Sequence, residues 1–207
     1  LCFEVSNNSN ISYYLGNWPP PLGIEYVIDK VSIIPIMIVS VIGLIATLYA
    51  HNFFILEIDR NLVSKTYSLW LLSIAGLMGL ITTADAFNLF VFLDISSLSA
   101  VALVALGSKM DRKALIAGYN YLILGAVGAT FYVIGVGLLY GVTGTLNMSD
   151  LAQKIPALGL NKSVIVAFTF MMLGIMVKAA VFPLHIWLPN AYAYAPSPVS
   201  VLLAATA

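Results

Sequence analysis

Long apolar stretches with almost no charged residues run through most of this chain and restrict what it can fold into. They occupy residues 31–50, 66–84, 86–106, 114–140 and 163–182. A helix needs about 20 apolar residues to cross the hydrocarbon core of a bilayer, and each stretch is close to that length. The sequence therefore predicts an all-α, polytopic bundle of transmembrane helices with about five full spans.

The composition agrees with a place in the membrane and argues against other classes of protein. Hydrophobic residues make up 61% of the chain and charged residues 9%, whereas a soluble domain carries about 25% charged residues. Nine basic residues balance nine acidic ones, and no basic cluster offers a surface for nucleic acid. The one cysteine, Cys2, excludes an internal disulfide and any metal site built from several cysteines.

Two regions differ in character along the chain. Residues 1–30 are polar and rich in turn-forming residues, including Pro19, Pro20 and Pro21, and are predicted to form an extramembrane segment. Residues 31–207 are predicted to form the transmembrane domain. The chain begins at Leu1 and ends inside an apolar run, so we expect a part or a truncated copy of a longer protein, with a sixth membrane element that is incomplete.

The fourth apolar stretch is rich in small residues. Small side chains let helix backbones approach closely in lipid, so most of these residues are expected to serve helix packing. They are Gly118, Gly125, Gly128, Ala129, Gly135 and Gly137.

The fifth apolar stretch is interrupted by Pro183. A proline inside a helix removes one hydrogen bond and clashes with the preceding turn. The helix is therefore predicted to break between Lys178 and Trp187. Backbone groups freed at membrane depth must be satisfied by protein or water, and broken helices recur at the ion sites of transporters.

Only two ionisable side chains fall well inside the predicted spans, Asp94 and Lys178. A charge at the bilayer centre costs at least about 2.5–3.5 kcal/mol, and such residues usually mark ion pathways. Two opposite charges are less costly together than apart, so the two are predicted to form a pair, with Ser97 on the same helical side as Asp94. The alternatives are a structural hydrogen bond for Asp94 and snorkelling to the interface for Lys178.

The sequence gives weaker grounds for placing two other polar residues, Asp85 and His185, in an ion path. Asp85 lies in a short turn that water can reach, which favours a turn-capping role over an ion site. His185 can titrate near neutral pH or bond a carbonyl at the membrane interface, and both interpretations remain open.

The basic residues suggest an orientation. If residues 1–30 lie outside, three lysines fall in outer segments and five basic residues fall in inner ones. The inner set is Arg60, Lys65, Lys109, Arg112 and Lys113.

Three sequence stretches resemble those of one known family. The first is Lys178-Ala-Ala-Val-Phe-Pro-Leu-His-Ile-Trp-Leu-Pro-Asn-Ala, followed by residues 195–200, and the others are residues 85–94 and 140–150. They resemble the antiporter-like membrane subunits of respiratory complex I, Mrp-type sodium/proton antiporters and membrane-bound hydrogenases, and look most like the last two. The resemblance covers residues 24 to 207.

The resemblance implies roles for the two intramembrane charges. In the family, a glutamate on this third span and a lysine on the broken helix form the charged pair of one proton half-channel. The lysine corresponds to Lys178, while Asp94 stands at the glutamate position and is one methylene shorter. Asn190 and Tyr192 also depart from the family pattern. Family members have two inverted repeats, of which this chain holds most of the first.

The leading functional hypothesis is therefore translocation of protons or sodium ions by an antiporter-like subunit of a multi-subunit, redox-driven complex in the cell membrane. Its site residues would be Asp94, Lys178, His185 and Ser97. Its partners would be other membrane subunits, lipid and H⁺ or Na⁺, without nucleic acid and without a cofactor in this chain. The alternatives are a structural scaffold subunit without its own ion path and a subunit of an Mrp-type antiporter. The chain itself shows no catalytic motif.

Overall fold

The computed structural model describes residues 5, 10–159 and 161–206. The elements in chain order are strands β1 (Ile11–Tyr14) and β2 (Glu25–Ile28) and helices α1 (Ile33–Glu57), α2 (Val63–Thr82), α3 (Ala86–Ala105), α4 (Lys113–Thr143), α5 (Met148–Leu158), α6 (Lys162–Lys178), α7 (Trp187–Tyr194) and α8 (Ser197–Thr206). Cys2 and Ala207 lie outside the described residues.

Within the described part of the chain, four helical segments are long and apolar enough to cross a membrane. They are Ile33–Glu57, Arg60–Thr82, Ala86–Lys109 and Lys113–Thr143. The predicted fifth span is present as α6, which has 17 residues and a length of about 25 Å. It is shorter than predicted because the helix ends at Lys178, before Pro183. The transmembrane helical fold is confirmed, with four full-length spans and a shorter fifth.

The chain between Lys178 and Trp187 is not helical, which confirms the predicted break. The last turn of α6 loosens as the Ala180 amide donates to the Val177 carbonyl at 3.2 Å and the Val181 amide reaches back to Met176. Ala180 has a φ of 49°, in the left-handed region where a residue with a Cβ does not continue a right-handed helix.

Residues 1–30 contain secondary structure that the sequence did not predict. β1 and β2 form an antiparallel hairpin, with Ile11 opposite Ile28 and Tyr14 opposite Glu25. The hairpin packs on the bundle through an isolated bridge between Tyr26 and Thr83.

Two helix boundaries also differ from the prediction. α1 continues beyond residue 50 to Glu57, because Phe54 is fully buried in the core and keeps this end of the helix packed. The segment between the apolar stretches 114–140 and 163–182, for which no helix was predicted, contains α5. The Asn147 side chain caps α5 by accepting hydrogen bonds from the Ser149 and Asp150 amides.

α4 lies between α3 and α6 and makes its closest approach to α6 through glycines. A Cβ placed on Gly174 of α6 would stand 2.6 Å from the Gly128 carbonyl oxygen of α4. Gly135 is similarly close to Met171. These contacts agree with the predicted packing role, although no described atom lies within 4 Å of a Cβ placed on Gly137.

Long-range polar contacts are found at both ends of the bundle. At the end that carries the hairpin, here called the hairpin end, Asn147 Nδ2 donates to Glu25 Oε2 at 2.8 Å. At the opposite end, here called the far end, Ser197 donates to the Glu57 carboxylate and Lys109 donates to the Ile58 carbonyl. The loops therefore alternate between the ends as the predicted topology requires.

Candidate functional site

Lys178, the last residue of α6, reaches across to α3. Its Nζ donates a hydrogen bond to Ser97 Oγ at 2.7 Å and lies 3.6 Å from Asp94 Oδ1. The Lys178 side chain is 11% exposed. Because the helix stops at this residue, the buried ammonium lies beside the break.

The α3 side of the contact is built from two residues one turn apart. Residues three apart share a helix face, and Asp94 and Ser97 both meet the same ammonium. Ser97 Oγ accepts from Lys178 and donates to the Asp94 carbonyl oxygen at 3.3 Å. The direct Lys178–Asp94 distance exceeds the roughly 2.7–2.9 Å of a charge-assisted hydrogen bond. The direct pair is therefore loose, and the Ser97 hydroxyl supplies the shorter hydrogen bond to the ammonium.

α4 closes the site on a third side. A Cβ placed on Gly125 would lie 3.8 Å from Lys178 Nζ. Two cavities meet here, one of 160 Å³ beside Asp94 and one of 240 Å³ beside Lys178, and both are lined by Ser97 and Tyr121. Both are large enough for water molecules, which need polar partners of the kind that these side chains provide.

Trp187, the first residue of α7, contacts the same region. Its indole N–H donates to the Val177 carbonyl at 3.1 Å, and its ring stacks on Tyr121 with centroids 4.2 Å apart. Sequence reasoning missed Trp187, Tyr121 and Gly125. A signal was present for Trp187, because a tryptophan in a broken membrane helix needs an acceptor for its N–H.

His185 lies inside the break. Its ring centroid is 5.5 Å from that of Phe182, and its Nδ1 is buried without a hydrogen-bond partner among the described residues. No hydrogen bond or ion pair in the described part of the chain joins His185 to Lys178 or Asp94. Its part in an ion path stays a prediction.

Asp85 caps α3, as predicted. Its carboxylate accepts from the Asn88 amide at 2.7 Å. The expectation that water reaches it was wrong, because Asp85 is only 7% exposed. The backbone bridge between Asp85 and Asn147 brings the loop before α5 against this turn and covers it.

Two carboxyl groups at the hairpin end have lowered pKa values. The Ser32 hydroxyl and amide donate to Asp29 and lower the pKa of its carboxyl group. The hydrogen bond from Lys154 lowers the pKa of Asp150. Both groups are solvated and neither lies near Lys178.

The acidic and imidazole side chains are scattered rather than gathered at one point. Among residues 5, 10–159 and 161–206, no group of three or more His, Cys, Asp or Glu side chains could hold a metal ion. The expectation that the chain carries no cofactor stays a prediction.

Comparison with known proteins assigns the chain to a family. Residues 83–207 match the family model described as NADH:quinone oxidoreductase/Mrp antiporter, TM. NADH-quinone oxidoreductase subunit N of Desulforudis audaxviator is 48% identical over 93% of this chain and 38% of its own length. A probable K⁺/H⁺ antiporter protein of Rhizobium meliloti is 37% identical over 93% of this chain and 35% of its own length.

A solved structure supports the same assignment. A chain of the archaeal membrane-bound sulfane sulfur reductase, a respiratory membrane complex, superimposes with a TM-score of 0.88 at 34% identity, covering 99% of this chain and 41% of that one. The present chain thus spans about two fifths of the length of the relatives it matches. From its sequence and its fold, the chain belongs to the NADH:quinone oxidoreductase/Mrp antiporter transmembrane family.

Proposed function

We propose that this chain is the antiporter-like part of a membrane subunit that moves ions within a multi-subunit, redox-driven complex of the cell membrane. One observation carries the proposal. The buried ammonium of Lys178 lies at the break after α6, hydrogen-bonded to Ser97 and 3.6 Å from the Asp94 carboxylate.

The electrostatics of this contact would allow Lys178 to alternate between holding and releasing a proton. An ammonium taken out of water is costly unless a carboxylate and hydrogen bonds compensate it, and here one carboxylate and one hydroxyl do so. When the pair opens, Lys178 loses part of that compensation and gives up its proton more readily. Moving one charge across 100 mV involves about 2.3 kcal/mol, which a driving reaction in partner subunits would supply.

The contact favours the proton over sodium as the ion it handles. A lysine carries a proton on its own nitrogen, whereas a sodium ion needs oxygen ligands that are not already neutralised by a cation. Among the described residues, Asp94 is the carboxylate paired with Lys178, and it already faces that ammonium. Sodium would therefore bind elsewhere in the whole protein.

The partners follow from the complexes in which relatives are found. The relatives include subunits of a quinone oxidoreductase and of an antiporter, and a chain of a respiratory membrane complex. We propose that this chain likewise contacts other membrane subunits and lipid, and that the rest of the ion path lies in parts of the protein beyond residues 1–207.

The test is ion transport by the whole complex in vesicles, with the full-length subunit carrying Lys178→Ala. We expect proton transport to be lost while the complex still assembles, Asp94→Asn to reduce transport, and Asp94→Glu to be tolerated. Lys109→Ala is the matched control, because Lys109 also pairs with an aspartate, Asp59, but at the far end and partly exposed. Wild-type transport by Lys178→Ala would make the chain a scaffold without its own ion path.

A second candidate, a subunit of an Mrp-type antiporter, is supported by the antiporter relative. The two candidates share the Lys178 contact and differ in the driving force. Proton movement driven by a sodium or potassium gradient, without an electron donor, would favour the antiporter. Movement that requires an electron donor would favour the redox-driven complex.

A further inference from the structure

The break after α6 leaves the end of that helix short of backbone partners. In a continuous helix, the Val177 carbonyl would accept from the amide four residues on. Here the Val181 amide bonds to Met176 instead, so the Val177 carbonyl lacks its normal helical donor and accepts a 3.2 Å hydrogen bond from the Ala180 amide, three residues on. The residue that carries the ammonium, Lys178, follows directly.

Trp187 completes this end of the helix from the other side of the break. Its indole N–H donates to the Val177 carbonyl at 3.1 Å. Val177 and Trp187 are both 4% exposed, so no water competes strongly for this acceptor. The hydrogen bond joins the first residue of α7 to the last turn of α6 and spans the segment that is not helical.

The indole ring is itself held by α4. Tyr121 stacks on it with planes 11° apart and is 6% exposed. Tyr121 also lines both cavities at the site, and Gly125, one turn on, leaves the space beside Lys178 Nζ. The last turn of α6 is thereby tied through Trp187 to the helix that flanks the ammonium.

We infer that Trp187 is a positioning residue that holds Lys178 within reach of Ser97 and Asp94, an inference that rests on the proposed ion-translocating function. Without the indole N–H, the last turn of α6 loses its tie to α7 and α4, and the ammonium drifts from its two partners. Trp187 takes no proton itself and acts through the placement of Lys178.

The test uses Trp187→Phe in the full-length subunit, assembled in its complex and placed in vesicles. Phenylalanine keeps a ring to stack on Tyr121 and removes the N–H. Transport per assembled complex should fall about fivefold, the equivalent of one neutral hydrogen bond of about 1 kcal/mol. Trp70→Phe is the matched control, because Trp70 is also buried and loses a comparable bond, which joins α2 to Thr47 Oγ1 of α1 at 2.9 Å and involves no part of the last turn of α6. It should transport as wild type.

Two double variants separate positioning from general support of the fold. Adding Trp187→Phe to Asp94→Asn should cause a smaller loss than Trp187→Phe causes alone, because both changes act on one contact and their effects are not additive. Adding Asp94→Glu to Trp187→Phe should restore transport, because the longer carboxylate reaches a displaced ammonium. Losses that multiply, or a failure of Asp94→Glu to restore transport, would overturn the positioning role.

The remaining outcomes are also decisive. Transport by Trp187→Phe equal to that of Trp70→Phe would overturn the inference and leave the proposed function standing, provided that Lys178→Ala is inactive in the same vesicles. Wild-type transport by Lys178→Ala would remove the proposed function itself. If Trp187→Phe does not assemble, Tyr121→Leu is used instead, because it removes the ring that stacks on the indole. Tyr121→Leu must then lower transport by the same factor, and adding Asp94→Glu must restore transport.

Discussion

The crossing of α4 and α6 gives a quantitative prediction for Gly174→Ala. The new Cβ would lie 2.6 Å from the Gly128 carbonyl oxygen and 2.7 Å from the Tyr132 amide nitrogen. Both are backbone atoms, so no change of rotamer can relieve the clash. Ordinary contact begins at 3.4 Å, and the two helices must separate by about 0.8 Å at this point. Overpacking of this kind costs about 1–3 kcal/mol.

The same separation should reach the site. Lys178 lies one turn beyond Gly174 on the same face of α6, so it moves away from the α3–α4 side as the helices part. We expect Gly174→Ala to lower both the thermal stability of the solubilised complex and its ion transport in vesicles.

Gly137→Ala in α4 is the matched control for this prediction. No described atom lies within 4 Å of a Cβ at that position, and alanine favours a helix interior over glycine by about 0.8–1 kcal/mol. The control should therefore be unchanged or slightly more stable. If Gly174→Ala proves as stable as Gly137→Ala, the close approach of the two backbones is not what holds α4 and α6 together.

Two further predictions concern the ends of the bundle. In a Cys2→Ser background, cysteines at the exposed positions Tyr13 and Met110 should react with impermeant thiol reagents from opposite sides of the membrane, and labelling of both from one side would refute the topology. Glu57→Ala should destabilise the complex in thermal unfolding by about 1.5–3 kcal/mol, because it removes hydrogen bonds to a charged group at the start of α8, and Glu57→Gln should cost less because it keeps an acceptor.

The parts of the fold that sequence predicted well depend on single physical causes. Long apolar stretches imply spans, and Pro183 cannot continue a helix, so the spans and the break were both predictable. The pairing of Lys178 with Asp94 followed from the cost of burying either charge alone. The contact between Ser97 and Lys178 agrees with the three-residue spacing that places Ser97 on the same helix face as Asp94.

The parts that were missed depend on contacts between distant residues. The apolar stretch predicted for the first span ends at residue 50, but the packing of Phe54 in the core keeps α1 helical to Glu57. α5 was not predicted because its sequence mixes polar and apolar residues and includes a proline, Pro156. The covering of Asp85 by the loop at Asn147 and the stacking of Trp187 on Tyr121 join different elements, so no local pattern reveals them.

The bond between Glu57 and Ser197 has a consequence for biosynthesis. The two residues are 140 positions apart in the chain, and translation proceeds at about 5–20 residues per second. Ser197 is therefore synthesised roughly 7–28 s after Glu57, and during that time the Glu57 carboxylate lacks this partner. During this interval α8 is absent, so the far end of α1 lacks the helix that packs against it in the finished fold. Substitutions at Glu57 should thus lower the yield of assembled protein in addition to the stability of the protein once assembled.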